Sequence, residues 1–312
     1  MDTWPKVLVP AMGPMRADKV EGAAQGMGTW GPQCQALFDE GYLQPDLLTG
    51  LTLFILGNQP RDPSQKQEIP GAGGGVAGGV WVRERFTIHR PLKRDEVFSI
   101  TGTSVGRHVH KGRRYGTNAS LTLDAQGHLA GSNLSTGLLS YKTQEGLADS
   151  VDGQFPDTIE VAGPDWSVAD NNPCLDALRG LHAGDAFGGQ ALVLGIDLMQ
   201  IRDTKNPDNP IHSDPELARK AGLTRPIAGG SHVLAFPLEV LLAAVGRHAL
   251  FHGAAIDVRW KAPVYADLTI VPSVRVRSAS DHLIVFDADV RIVDGPVAMQ
   301  ATISIPLPGV TA

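Results

Sequence analysis

Cysteine and long apolar runs are both scarce in this chain. Cys34 and Cys174 are its only cysteines, too few for a disulfide framework, and neither lies in a CxxC pair or a Cys/His cluster typical of a metal site. No run approaches the roughly 20 apolar residues that a membrane-spanning helix requires. The first residues, MDTWPKVLVPAMGP, lack a basic segment leading into a long apolar stretch. We therefore expect a cytoplasmic protein without a membrane segment or metal.

The chain also lacks an excess of positive charge. Its 27 basic and 33 acidic residues give a net charge of −6, which argues against non-specific binding of nucleic acid. Apolar residues at 42% and charged residues at 19% are typical of a soluble globular protein. A length of 312 residues exceeds that of most single domains, so two domains are predicted. The expected partner is a small molecule, and no cofactor is predicted.

Two segments of the chain share one layout. In the second, a helical stretch ends near His248, and Asp294-Gly295-Pro296 supplies a turn between the last two of four extended runs. In the first, a helical stretch over residues 49–57 precedes four similar runs. The extended runs are predicted at residues 81–92, 96–105, 117–126 and 128–141, and again at 254–265, 268–276, 282–293 and 297–307.

This pattern alone predicts a duplicated α+β unit. The sequence between Lys142 and Arg179 is polar and interrupted by prolines, which suits a surface connection. We place an N-terminal domain at 1–142, a connecting segment at 143–180 and a C-terminal domain at 181–312. The glycine-rich stretch at 71–79 predicts a flexible loop, and the basic cluster at 108–114 predicts a solvated hairpin end.

Residues 206–234, NPDNPIHSDPELARKAGLTRPIAGGSHVL, carry the pattern that is most informative about chemistry. Pro210 fixes a turn from which His212 emerges, and Asp214-Pro215-Glu216 predicts a helix N-terminus with proline at its first position. A further helix is predicted to begin at Gly229-Gly230-Ser231. Its first backbone N–H groups have no partner within the helix, and such donors suit an oxyanion.

This run resembles the signature of the MaoC-type hydratases and dehydratases. Residues 83–98 and 258–270 also resemble strands of the eukaryotic-type 2-enoyl-CoA hydratases of that family. The resemblance implies an α+β double hotdog, in which two antiparallel sheets, each wrapped on a central helix, pair in one chain. It further implies that the C-terminal half holds the catalytic residues and that the N-terminal half shapes the acyl pocket.

The resemblance implies a mechanism in which a histidine and a carboxylate bind one water and add it across a trans-2-enoyl thioester. A glycine N–H holds the thioester oxygen. His212 and Gly230 match the histidine and the glycine, and Asp208 is our candidate for the carboxylate. Further substrate-binding residues are predicted at Asn209, Gly229, Ser231, Arg259 and Lys261, the last two toward CoA.

The sequence departs from the family pattern at the carboxylate. The family aspartate lies five residues before the histidine, where this chain has Pro207. Asp208 takes over the role if the turn is shifted by one residue, and Asp203 is a weaker candidate. Many relatives carry a histidine at the position of Gly229, and Pro237 is predicted to interrupt the helix that follows.

We therefore expect an (R)-specific hydratase or dehydratase, a hydro-lyase acting on a 2-enoyl or 3-hydroxyacyl thioester of CoA or of an acyl-carrier protein. The assembly is compatible with a homodimer. Two alternatives stay open at this point: a related acid–base lyase or cyclase of a biosynthetic pathway, and a non-catalytic acyl-binding subunit. The altered position of the carboxylate is the reason for keeping both.

Overall fold

The strands of both halves join in a single antiparallel sheet. The computed structural model describes residues 7–15, 17–49, 80–138, 146, 148–150, 169, 171–203, 210–220 and 222–308. Its strands are β1 (Val7–Pro14), β2 (Val80–Ile88), β3 (Val97–His110), β4 (Arg113–Leu123), β5 (Leu129–Leu138), β6 (Ala186–Gly188), β7 (Leu192–Leu194), β8 (Ala254–Trp260), β9 (Leu268–Ala279), β10 (Leu283–Ile292) and β11 (Val297–Pro306). Their order is β1-β3-β4-β5-β2-β8-β11-β10-β9-β6, with β7 also pairing with β9.

Among the described residues, the helices are short except for one. They are α1 (Ala17–Gln25), α2 (Pro32–Asp39), α3 (Leu175–Arg179), α4 (Ile196–Asp203), α5 (Pro215–Lys220) and α6 (Gly230–Val245). Single 3₁₀ turns lie at Gly28–Trp30, Pro45–Leu48, Pro210–His212 and Ala249–Phe251. None of the helices in the described ranges is long and apolar enough to cross a membrane.

The extended runs predicted in each segment are all strands of the sheet. The predicted turn at Asp294 joins β10 to β11 with a positive φ of 55° at that residue. The basic cluster lies at the end of the β3–β4 hairpin, whose turn uses positive φ at Lys111 and Gly112. The predicted helix at 49–57, beyond Thr49, and the glycine-rich stretch at 71–79 lie outside the described residues.

The two halves of the sheet meet where β2 pairs with β8, from Arg83 opposite Arg259 to Ile88 opposite Ala254. Both strands alternate along this seam. Phe86 and Ile256 are buried on the side of the helices, while Asp257 on the opposite side accepts hydrogen bonds from Arg83 Nη2 and Arg85 Nε at 2.7 Å each. The seam is therefore closed by apolar packing on one face and by ion pairs on the other.

Helix α6 forms the centre of the C-terminal half. Its buried side chains include Leu234, Phe236, Leu238 and Leu241, so nearly every face of the helix is covered. The prediction that Pro237 interrupts this helix is wrong, because α6 continues through it. A proline inside a helix removes one backbone hydrogen bond. The burial of apolar side chains around α6 outweighs that loss.

Helix α1 of the N-terminal half lies directly against α4 of the C-terminal half. A Cβ atom added to Gly22 would lie 2.7 Å from the carbonyl oxygen of Ile201, and one added to Gly26 would lie 2.5 Å from Cβ of Arg202. Only glycine permits so close an approach of two backbones. The contact places α1 over the C-terminal end of α4, next to the site described below.

Candidate active site

His212 is held in a defined orientation by the backbone. It ends the 3₁₀ turn Pro210–His212, and its Nδ1 lies 2.7 Å from the carbonyl oxygen of Ile227. A carbonyl only accepts, so Nδ1 carries the proton and Nε2 carries the lone pair of the neutral ring. The helix predicted to follow is present, with Asp214 Oδ1 accepting hydrogen bonds from the N–H groups of Glu216 and Leu217 at 2.8 and 3.0 Å.

A small cavity that opens to solvent lies beside His212. It draws on both halves of the chain. Its lining residues are Lys19, Ala23, Leu47, Met199, Arg202, Asp203, His212, Gly229, Ser231 and His232. The predicted residues His212, Gly229 and Ser231 thus meet in one place.

Asp203 supplies a carboxylate to this cavity. It is the last residue of α4, its side chain is 17% exposed, and its Oδ1 lies 3.5 Å from Nζ of Lys19. Its Oδ2 is buried and has no hydrogen-bond partner among the described residues. Burial raises the pKa of Asp203, while electrostatic interactions with His212, Lys19 and Arg202 and the hydrogen bond from Lys19 partly oppose that rise. A carboxyl group whose pKa is raised in a cleft is suited to acid–base work.

Arg202 joins the two halves through a buried ion pair. Its Nη2 bonds to Oδ2 of Asp46, and its Nη1 donates to the carbonyl oxygen of Ala23 at 2.8 Å. Asp46 is only 1% exposed. Burial raises the pKa of Asp46, and the Arg202 guanidinium opposes this. The Arg202 guanidinium at the cavity wall is thus already engaged by the N-terminal half.

The start of α6 faces the same cavity. Gly229 caps the helix, and the first bond of the helical ladder runs from the N–H of Val233 to the carbonyl of Gly229 at 3.1 Å. The N–H groups of Gly230, Ser231 and His232 precede that bond, so they have no acceptor within the helix. Gly229 and Ser231 line the cavity. They place the positive end of the helix dipole beside His212.

Gly230 itself packs under Trp260. The Nε1–H of Trp260 donates to the carbonyl of Gly230 at 3.0 Å, and a Cβ added to Gly230 would lie 2.9 Å from the indole ring. Gly230 does not appear among the described residues that line the cavity. The structure places it at the predicted helix terminus, between two residues that do line the cavity.

His232 is a second histidine in the wall. It is 2% exposed, its Nε2–H donates to the carbonyl of Gly26 at 3.0 Å, and its ring stacks on Phe236 at 5.4 Å. Burial, reinforced by the positive charge of Arg202, lowers the pKa of His232 well below its usual range. A neutral His232 therefore tethers α6 to the end of α1.

The remaining predicted residues lie away from this cavity or outside the described part of the chain. Asp208 and Asn209 belong to residues 204–209, which the structure does not describe. Arg259 is exposed, next to the buried Val258 in β8, and Nζ of Lys261 bonds to the side chain of Gln300. Neither cation is part of the cavity wall, so their role in CoA binding stays a prediction.

Sequence reasoning missed Lys19 and Arg202. Both enter the cavity through contacts between α1 and α4, elements more than 170 residues apart in sequence. The sequence signal that could have pointed to Lys19 was the spacing of Lys19, Gly22 and Gly26 on one face of a short helix. It indicates a close helix contact but not the identity of the partner.

The comparisons with known proteins agree with this architecture. Residues 204–287 match the model of the MaoC like domain. A structure titled MaoC-like dehydratase has a TM-score of 0.67 with 16% identity, covering 97% of this chain and 99% of its own. A Mycobacterium tuberculosis protein with a double hotdog fold has a TM-score of 0.59 with 14% identity, covering 96% of both chains.

A third similar structure is a longer protein, the peroxisomal multifunctional enzyme type 2 of Drosophila melanogaster. It has a TM-score of 0.65 with 15% identity, covering 96% of this chain but 48% of the other. The comparison with curated protein sequences gave no significant match. At these identities the structures establish the fold alone, and the domain model matches a segment of the C-terminal half. Residues 204–287 are thus similar in sequence to a MaoC-like domain, and the whole chain shares its fold with a structure titled MaoC-like dehydratase.

Proposed function

We propose that the chain is a hydro-lyase that adds water to a 2-enoyl thioester or removes it from a 3-hydroxyacyl thioester, with (R) stereochemistry, on CoA or acyl-carrier protein. The observation that carries this proposal is the meeting of His212 and Asp203 in one cavity beside the N-terminus of α6. The MaoC-like domain makes hydration the reaction to test first. Asp203 thereby takes the place that the family pattern would give to Pro207.

The chemistry follows from the groups present. Nε2 of His212 and the carboxylate of Asp203 are two proton acceptors that can hold a water molecule between them. As the water oxygen bonds to C3 of the enoyl group, one of them takes a proton from the water and then passes that proton to C2, so the sum is the addition of one water and both groups return to their starting state. The thioester oxygen gains negative charge on the way. The N–H groups at the start of α6 are placed to stabilise it.

We further propose that the halves form a double hotdog, with the N-terminal half closing the acyl pocket. Three observations support this division of labour. Ala23 and Leu47 line the cavity from the N-terminal half, His212 and Asp203 line it from the C-terminal half, and β2 pairs with β8 between them. One reaction centre per chain follows from this arrangement.

The test uses the purified full chain and a short trans-2-enoyl-CoA, with loss of the conjugated enoyl absorbance as the readout. His212→Ala is expected to lower kcat by about 10² to 10⁴, the range for loss of a general acid–base group. His282→Ala is the matched control, since His282 is exposed in the turn before β10. Unchanged turnover in His212→Ala would contradict the proposal.

Two aspartate variants decide which carboxylate acts. Asp203→Asn is expected to lose activity to a similar extent as His212→Ala, and Asp208→Asn is expected to lose far less. The opposite order would return the role to Asp208. In that case His212 keeps its role and the assignment of Asp203 falls.

Product analysis separates the remaining reactions. Coupling to an (R)-3-hydroxyacyl-CoA dehydrogenase reports hydration and its stereochemistry, whereas a thiol reagent reports release of free CoA. Free thiol without hydroxyacyl product would mean that the water attacks the thioester carbonyl instead of C3. Thermal stabilisation by acyl-CoA without any turnover would indicate the acyl-binding subunit.

A further inference from the structure

A lysine of the N-terminal half reaches the reaction centre. The side chain of Lys19 is 6% exposed, and its Nζ lies 3.5 Å from Oδ1 of Asp203. We propose that Lys19 is a positioning residue that keeps Asp203 in its carboxylate form beside His212. The half of the chain that lacks the MaoC motif would then supply part of the acid–base machinery. This inference rests on the proposed function of Asp203.

The position of Lys19 is dictated by backbone contacts. Gly22 and Gly26 bring α1 against Ile201 and Arg202 at distances that no larger residue permits. Lys19 lies one helical turn before Gly22, so its side chain projects from the same face of α1. Ala23, one turn after Lys19, lines the cavity as well. The close contact between α1 and α4 therefore fixes the side chain of Lys19 next to the C-terminal end of α4.

The charges that face Asp203 differ in what they can do. Arg202, its neighbour on α4, is bonded to Asp46, and His232 on α6 is kept neutral by burial. His212 changes its protonation state during the reaction. Lys19 on α1 adds a side chain whose Nζ donates a hydrogen bond to the carboxylate at 3.5 Å.

Burial of an ammonium group is costly unless an opposite charge accompanies it. Lys19 and Asp203 satisfy that requirement for each other, and both lie at the cavity wall. An opposite charge at this distance lowers the pKa of a carboxyl group by about one to three units. Without Lys19, burial would leave Asp203 protonated to a higher pH.

The experiment is a pH profile of kcat/KM for the enoyl-CoA reaction of Lys19→Met in the full chain. The acid limb is expected to move by at least one unit to higher pH, which is about a tenfold loss on the acid side, with less than a threefold change on the plateau. Lys19→Arg keeps the charge and is expected to retain the wild-type limb. Lys220→Met is the control, since Lys220 is 62% exposed on α5.

A second readout does not require turnover. The carboxyl ¹³C resonance of Asp203, assigned by its disappearance in Asp203→Asn, is titrated in the wild type and in Lys19→Met. A higher titration midpoint of Asp203 in Lys19→Met supports the pairing even if enoyl-CoA is not the substrate. Failure of the proposed function is thereby distinguished from failure of this inference. An unchanged midpoint, or a plateau loss without movement of the acid limb, would overturn the proposal.

Discussion

Two adjacent glycines at the start of α6 should respond differently to the same added methyl group. Gly229 has φ −60° and ψ 147°, which any residue adopts, and a Cβ there meets no atom within 4 Å in the described structure. At Gly230 the Cβ would lie 2.9, 3.1 and 3.2 Å from three atoms of the Trp260 indole. Substitution of these two glycines therefore compares a position with space for a methyl group and a position without it.

The expected magnitudes follow from these distances. Gly230→Ala forces Trp260 to shift, and overpacking of this kind costs about 1 to 3 kcal/mol. The hydrogen bond from Trp260 Nε1 to the Gly230 carbonyl, worth about 1 kcal/mol, is strained as well. Gly229→Ala restricts the unfolded chain without a clash, but alanine is a poorer helix N-cap than glycine, so its free energy of unfolding should change by less than about 1 kcal/mol.

The measurement is urea unfolding of both variants followed by tryptophan fluorescence, together with kcat/KM on the enoyl-CoA. Gly229→Ala should keep its unfolding midpoint and lose activity, because its methyl group enters the cavity beside His212. Gly229→Val should lose more activity at similar stability. Equal destabilisation of Gly229→Ala and Gly230→Ala would refute the assignment of open space at Gly229.

Two further predictions concern the contacts between the halves. Arg202→Met should lower the free energy of unfolding by about 3 to 5 kcal/mol, because it leaves the Asp46 carboxylate buried and unpaired; urea unfolding measures this, and a loss below about 1 kcal/mol would contradict it. Burial alone would raise the pKa of Asp257, but the bonds from Arg83 and Arg85 outweigh it and hold that pKa below its usual value. The stability from this cluster is therefore present above the unfolded-state pKa and lost as pH falls through the folded-state pKa. Asp257→Asn should be less stable than wild type by about 1.5 to 3 kcal/mol at pH 7, and the difference should shrink below about pH 4; a difference independent of pH would count against it.

The sequence was sufficient to predict the strands and the turn that carries His212 because their signals are local. Runs of β-branched residues ended by turn residues mark each strand, and the hairpin turns at Lys111 and Asp294 were where the pattern put them. Pro210 and Asp214 flank His212 and fix its turn without help from distant residues. The start of α6 at Gly229-Gly230 was equally local.

The rest of the site depends on contacts that no local pattern contains. Asp203 was a weaker candidate because it lies nine residues from His212, yet the end of α4 brings it to the same cavity. Lys19 was missed because the partner of α1 is known only once the chain is folded. Pro237 was misjudged because a local rule for proline ignores the burial that holds α6 together.

The pairing of β2 with β8 also has a consequence for folding during synthesis, because the two strands are far apart in sequence. Arg83 and Asp257, which are hydrogen-bonded across the seam, are 174 residues apart in sequence. A ribosome that adds about 5 to 20 residues per second needs roughly 10 to 35 seconds to make that length. During that interval one edge of β2 is unpaired, and its exposed backbone N–H and C=O groups can pair with strands of other chains. Pairing between β2 and β8 therefore cannot begin until β8 has been synthesised, and this strand edge stays unpaired until then.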